Sequence, residues 1–143
     1  MHLAQFNIAE AIAPMDSPVM ADFINNTDTI NALAEKSPGF VWRFTDKDGA
    51  DAYSVRAYES DFILVNMSVW KDRESLFKFV YQSEHVEIFR RKKEWFAKMP
   101  KMHMVLWHVE DGHEPTVEEG KERLAYLQKH GETLHAFSFK SAF

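Results

Sequence analysis

His85 is the side chain best suited to moving a proton near neutral pH, because its imidazole titrates there and a place in the first turn of a helix disfavours the cation. The competing reading is a packed histidine bonded to a carbonyl or to Glu87. Asn7, Gln5, Asn66 and Ser68 form a second set. Amides and a hydroxyl can orient a carbonyl or stabilise a developing oxyanion. They can equally satisfy one another across a seam between subunits. Trp42 or Arg43, with Trp70, His103 and Trp107, supplies the flat and hydrogen-bonding surface a ligand wall needs, although indoles more often serve a core or an interface. His103, near a strand start, reads as a rim residue.

Other chemistries find little support. With no cysteine, thiol nucleophiles, thiolate metal sites and disulfides are excluded. His108-x-Glu110-Asp111-x-His113 holds metal-ligand residue types, but in a loose turn spacing rather than a strict helical motif, and no metal is assigned to it. The sequence has no phosphate-cradling glycine loop, no helical zinc motif and no serine elbow. Arg90-Arg91-Lys92-Lys93 reads as a solvated run that complements a helix dipole.

Strands must position the amides. His2 to Glu10 alternates, with Ala4, Phe6 and Ile8 on one side and Leu3, Gln5 and Asn7 on the other. The stretch Phe62 to Phe96 begins the same way: Ile63, Val65, Met67 and Val69 oppose Leu64, Asn66, Ser68 and Trp70. Phe40 to Thr45 predicts another strand, closed by a turn at Asp46 to Gly49; Tyr53 to Tyr58 reads as a strand extension or, preferably, a loop over a pocket mouth. Lys101 to Val109 is the last main strand, with Met102, Met104 and Leu106 assigned to its greasy side and His103, Val105 and Trp107 to its mixed side.

Helices fill the intervals. Asp16-Ser17-Pro18 offers a cap and an N1 proline, and apolar residues from Met20 to Ala34 recur at helical spacing until Ser37-Pro38-Gly39. Asp72 caps a helix with Leu76, Phe77, Val80 and Tyr81 inward, and Ser83 is placed to cap a second segment that carries His85, Phe89 and Phe96 on one face. After a turn at Asp111-Gly112, Thr116 and Glu119 have capping-box spacing for a helix that runs to about His130, with Gly131 as its cap. The tail Ala136 to Phe139 predicts a short edge strand or a clasp on a partner.

At 143 residues the chain suits one domain over residues 1–143, its core spanning about 2–110 and a C-terminal helix and tail about 115–143. A fold of this size buries about 70% of its unfolded surface. A composition 45% hydrophobic and 14% aromatic, without a membrane-length apolar run, reads as a soluble globular protein with no membrane partner. The net charge of −5 argues against a general nucleic-acid binder. The start MHLAQFNIAEA has no secretory pattern, and a cytoplasmic location is expected.

The element order βαββαβ with a terminal helix is that of a ferredoxin-like α+β fold, an antiparallel sheet with helices on one side. Its open side is expected to show Trp42 or Arg43, Trp70 and Trp107, too much aromatic surface for a monomer, and two such sheets face to face would hide it. A bulge of one residue decides between Trp42 and Arg43.

Four segments carry a resemblance: Ser37-Pro38-Gly39-Phe40-Val41-Trp42-Arg43; Leu64-Val65-Asn66-Met67-Ser68-Val69-Trp70; His85-Val86-Glu87 through Arg90-Arg91 to Trp95-Phe96; and Pro115-Thr116-Val117-Glu118-Glu119. Together they resemble an uncharacterised bacterial family, domain-of-unknown-function family 3291, grouped with the dimeric α+β barrels. That superfamily also holds antibiotic-biosynthesis monooxygenases and haem-degrading enzymes. The resemblance implies a homodimeric barrel. The haem-degrading branch uses an asparagine on the first strand, which Asn7 matches, but Phe79 and Phe89 stand where its tryptophan and histidine are expected. Cofactor-free monooxygenases of the superfamily use asparagine, tryptophan and histidine around an aromatic substrate, a constellation that Asn7, Asn66, Trp70 and His85 resemble.

The expected function is binding of a small aromatic or carbonyl-containing metabolite, with monooxygenase-like or isomerase-like chemistry and no cofactor. Asn7 and Asn66 would orient the carbonyl, His85 would shuttle a proton, and Trp70 with Trp107 would stack on the ligand, with Gln5, Ser68, His103 and Trp42 or Arg43 completing the wall. The alternatives are a non-catalytic dimeric binding or stress-response module and a haem-binding protein.

Overall fold

The structure is a computed structural model and describes residues 1–14, 17–44, 63–82, 91–97 and 102–140. Among the described residues four strands form one antiparallel sheet: β1 (His2–Glu10), β2 (Phe40–Arg43), β3 (Ile63–Trp70) and β4 (Met104–Val109), in the order β2-β3-β1-β4. With helices α1 (Ala21–Lys36), α2 (Arg73–Gln82), α3 (Lys92–Trp95) and α4 (Val117–His130), this is the ferredoxin-like α+β arrangement with an added C-terminal helix.

The proline before α1 and the caps of α2 and α4 work as their chemistry demands. Pro18 opens a 3₁₀ turn, Pro18–Met20, ahead of α1, and Ser17 sits at its cap without a side-chain cap bond. Asp16 lies outside the described residues. Asp72 caps α2, its Oδ1 accepting from the Ser75 backbone N–H at 2.8 Å. Thr116 caps α4, accepting from the Glu119 N–H at 3.1 Å, and Gly131 ends that helix with φ 78°, a region glycine enters without strain. The sequences 45–62, with the expected turn and loop, and 83–90, with Ser83, His85 and Phe89, lie outside the described residues.

β1 and β3 pair residue for residue, Asn7 opposite Asn66, Gln5 opposite Ser68 and Leu3 opposite Trp70. Both alternations therefore merge into one apolar face and one amide face. The apolar face gathers Ala4, Phe6, Ile8, Val65, Met67 and Val69 with Val105 and Trp107 of β4, under Leu124 and Leu127 of α4. Each large side chain so buried contributes about 1.5–3 kcal/mol.

Three expectations are corrected here. First, β4 alternates as read, but its faces are exchanged: Trp107 pairs with Ala4 and Leu106 with Gln5, so Val105 and Trp107 join the apolar face. Trp107 and Trp70 thus lie on opposite sides of the sheet. Second, the amide face is not open. Ala34 of α1 and Leu76 of α2 pack on its Leu3, Trp70 and Leu106, with Phe137 of the tail, while α4 covers the other side. Third, Trp70 and Trp107 are 1% and 0% exposed within one chain, so no partner is needed to hide them.

The tail follows the edge-strand expectation at one point. Phe137 bridges Leu106, exchanging N–H···O bonds of 3.0 and 2.7 Å along the β4 edge. Arg73 of α2 donates to the Ser138 carbonyl at 3.2 Å and also to that of Phe139, which fastens the tail beneath α2.

Candidate functional site

The amide face carries greasy ground at both ends and polar ground between. Leu3, Trp70 and Leu106 mark one end; Ala11, with Met20, Trp95, Phe23 and Phe96, marks the other. Ala11 reaches that cluster because it bridges Phe96 just beyond β1. Between them stand Gln5, Asn7, Asn66 and Ser68, placed side by side by the β1–β3 register.

These four side chains form one network. Gln5 Nε2 donates to Asn66 Oδ1 at 2.6 Å and to Ser68 Oγ at 2.8 Å. Asn7 Nδ2 donates to Gln5 Oε1 at 2.8 Å and, more weakly, to Asn66 Oδ1 at 3.4 Å. Trp70 Nε1 donates to Ser68 Oγ at 2.9 Å. Gln5 and Ser68 are buried, Asn7 is half-buried and Asn66 is exposed. The patch is uncharged, so what it offers is hydrogen bonds rather than an electrostatic field. Inner members are spent on one another, and only the outer two have ends to offer.

The other expected site residues fall as follows. A bulge between Phe40 and Trp42 sends Trp42 to the apolar face, where it packs on the core, and brings Arg43 opposite Ser68. Arg43 Nε donates to Glu35 of α1 at 2.7 Å, at the edge of the amide face. Trp70 is wedged between Phe79, stacked at 5.2 Å, and Phe40, edge-on at 5.4 Å. It serves the network through its N–H, with its ring faces occupied by protein. His103 is exposed just ahead of β4, its carbonyl accepting from the Ile8 N–H at 2.9 Å. Trp42, His103 and Trp107 therefore do not converge with Asn7 and Asn66, and His85 lies outside the described residues.

Sequence reasoning missed a second polar cluster, at the start of α4. The Glu119 carboxylate accepts from Trp107 Nε1 and bonds His113 Nε2, each at 2.8 Å. It does not act as the reciprocal half of a capping box. One turn on, Arg123 lies 5.9 Å from the Trp107 ring centroid, and its Nη1 donates to the His135 carbonyl at 2.8 Å and meets His135 Nδ1 at 3.1 Å. Because arginine only donates, that imidazole carries its proton on Nε2, toward Glu122 at 2.9 Å. An open groove of about 510 Å³ runs past His108, Glu110, His113, Glu119 and Arg123. Its charged groups largely pair with each other, tying α4 and the tail to β4. Among the described residues no three histidine or carboxylate side chains converge as a metal ion requires.

The basic run has one described anchor. Arg91 bonds Glu94 and Asp22, each at 2.8 Å, and its guanidinium lies 4.7 Å from the Trp95 ring centroid. Those two carboxylates, Glu94 foremost, push its pKa above the ordinary arginine value. It joins α3 to the start of α1.

The fold has solved counterparts. A conserved protein from Methanosarcina mazei Go1 superposes with a TM-score of 0.54 at 17% identity, covering 77% of this chain and 94% of its own. A protein of unknown function from Nitrosomonas europaea superposes at 0.53 with 15% identity, covering 80% and 95%. At such identities the likeness is one of fold. No curated protein matches the chain. Residues 2–143 match a family described as a domain of unknown function, DUF3291, and the chain belongs to that family.

Proposed function

We propose that the chain is a small-molecule-binding protein that takes an aromatic or carbonyl-containing metabolite against the amide face of its sheet. The observation that carries this reading is the pair Asn7 and Asn66, each with one amide end spent in the network and the other turned away from it, between two apolar clusters. Polar ends fixed by a buried second layer, with grease on either side, are what a ligand site needs. Asn66 Nδ2 would donate to the ligand carbonyl.

The proposal extends to cofactor-independent, monooxygenase-like chemistry in a homodimer, on the strength of the resemblance to the antibiotic-biosynthesis monooxygenases. Removal of a proton beside the carbonyl, assigned to His85, leaves an enolate that Asn66 Nδ2 stabilises and that can itself give electrons to dioxygen. A thermal-shift panel of aromatic and carbonyl metabolites tests the binding. A stabilising hit that disappears in Asn66→Leu is expected. Oxygen uptake with that hit, lost in His85→Ala, supports the chemistry. A hit without uptake favours the non-catalytic module, which the burial and mutual satisfaction of Gln5 and Ser68 also suit. No hit at all overturns the binding reading.

Haem fits the described residues poorly. On the amide face their imidazole is His108, opposite Leu3 and against the Phe137 ring, about 13 Å along β4 from the residue that pairs with Asn7. Phe79 is stacked on Trp70. Haemin titration without a Soret shift is the expected result.

A further inference from the structure

We infer that the ligand recognised at the amide face presents a lactam-type edge, a ring N–H and a C=O side by side, read by Asn7 and Asn66 as one acceptor and one donor. This rests on the reading of that face as a ligand site. It follows from counting hydrogen-bond capacity atom by atom.

Gln5 Nε2 has two hydrogens, and both are used, on Asn66 Oδ1 and Ser68 Oγ. Asn7 Nδ2 also uses both, on Gln5 Oε1 and Asn66 Oδ1. Asn66 Oδ1 thereby accepts twice, which fills its lone pairs. Among the described residues, nothing bonds to Asn66 Nδ2 or to Asn7 Oδ1. One donor and one acceptor are therefore left over, on residues that face each other directly across β1 and β3. Such partners have Cβ atoms about 4.5–5.5 Å apart, close enough for one small group to bridge both ends.

The pattern does not depend on which way the amides are turned. Trp70 Nε1 can only donate, so Ser68 Oγ accepts from it and keeps a hydrogen of its own. Turning Gln5, Asn7 and Asn66 over together lets that hydrogen go to Gln5 Oε1 and exchanges the two free ends. The outward face still offers one donor and one acceptor.

Few neutral groups complement it. A secondary amide in an open chain is trans, with its N–H and C=O on opposite sides. Closing it into a ring forces the cis form and brings both to one edge, as in lactams, cyclic imides, 2-pyridones and 2-quinolones. The clusters on either side, Trp70 with Phe79 and Phe23 with Trp95, have their rings packed on one another, so they give that edge an apolar border that suits a flat apolar ring without stacking on it. Gln5 is the positioning residue, since its two donated bonds and one accepted bond set how both asparagines point.

The test compares 2-quinolone with N-methyl-2-quinolone by calorimetric titration of the full chain. The methyl group removes the donor, leaves the ring and carbonyl, and strands Asn7 Oδ1. The expected result is at least tenfold weaker binding of the methylated probe, with 2-quinolone binding lost in Asn66→Leu. Gln5→Glu, which replaces the donors holding Asn66 Oδ1 by acceptors, is expected to turn the Asn66 amide over and shift preference by about tenfold toward protonated 2-aminoquinoline, a two-donor edge. Preference for the methylated probe equal to or above that for 2-quinolone overturns the lactam edge. So does 2-quinolone binding that survives Asn66→Leu. A hit in the metabolite panel with none of the quinolines bound overturns the edge and leaves the site standing; blank results in both overturn both. The methylated-probe comparison uses the unaltered protein, so it holds whether or not a variant folds.

Discussion

Gly120 sits where α4 crosses β1, and a β-carbon there would overlap the Phe6 ring, itself fully buried. Alanine normally improves a helix over glycine by about 1 kcal/mol. Here overpacking against an immobile ring should reverse that sign, so Gly120→Ala is expected to lose about 1–3 kcal/mol in urea unfolding. Asp72 offers a different test. Bonds from the Ser75 hydroxyl and backbone N–H hold its carboxyl below the ordinary 3.8. A depressed folded-state pKa adds stability that is complete above the unfolded value and is lost as pH falls through the folded one. Asp72→Ala should therefore cost about 1 kcal/mol at neutral pH and progressively less below pH about 4, as thermal melts across that range would show. Both caps were legible, because each polar residue there has only a local use. The partner of Glu119 was not: its spacing from Thr116 is that of a capping box, while its carboxylate reaches residues on β4 and the following turn that no local pattern brings near.

At the scale of elements, alternation placed every residue of β1 and β3 on its proper face, and with them the whole amide network. β4 was different. Met104 and Leu106 oppose Val105 and Trp107, so hydrocarbon lies on both sides and only the pairing with β1 decides which side is which. The helices were misplaced for a related reason. Leu3, Trp70, Leu106 and Phe40 give the amide face enough grease at one end to seat α1 and α2, a fact hidden when each strand is read alone. Because the sheet separates α4 from the amides, the two can be perturbed independently. Leu124→Ala, which empties space between α4 and the apolar face, should cost about 2–5 kcal/mol while leaving the affinity for a ligand of the amide face within about twofold. Equal loss of affinity and stability would mean that the two faces act as one unit.

For the molecule as a whole, the indoles decide what kind of dimer can exist. A seam that buried Trp70 and Trp107 would make association and folding a single event, as in obligate dimers, whose protomers have no stable folded state of their own. Both rings are instead enclosed within one chain, Trp70 by Phe40 and Phe79, Trp107 under the Arg123 guanidinium and the Glu119 carboxylate. The proposed homodimer then joins chains that are already folded, through surface such as the exposed Phe77 and Tyr81 that α2 stacks beside Phe139. Over a roughly thousandfold dilution the sedimentation coefficient should fall from the dimer to the monomer value, while the near-ultraviolet circular dichroism of the tryptophans stays constant. Loss of that signal together with the dimer would show that the partner completes the fold. The distinction bears on the site too, since Asn7 and Asn66 are fixed by Gln5 of their own chain and should keep their ligand in the monomer.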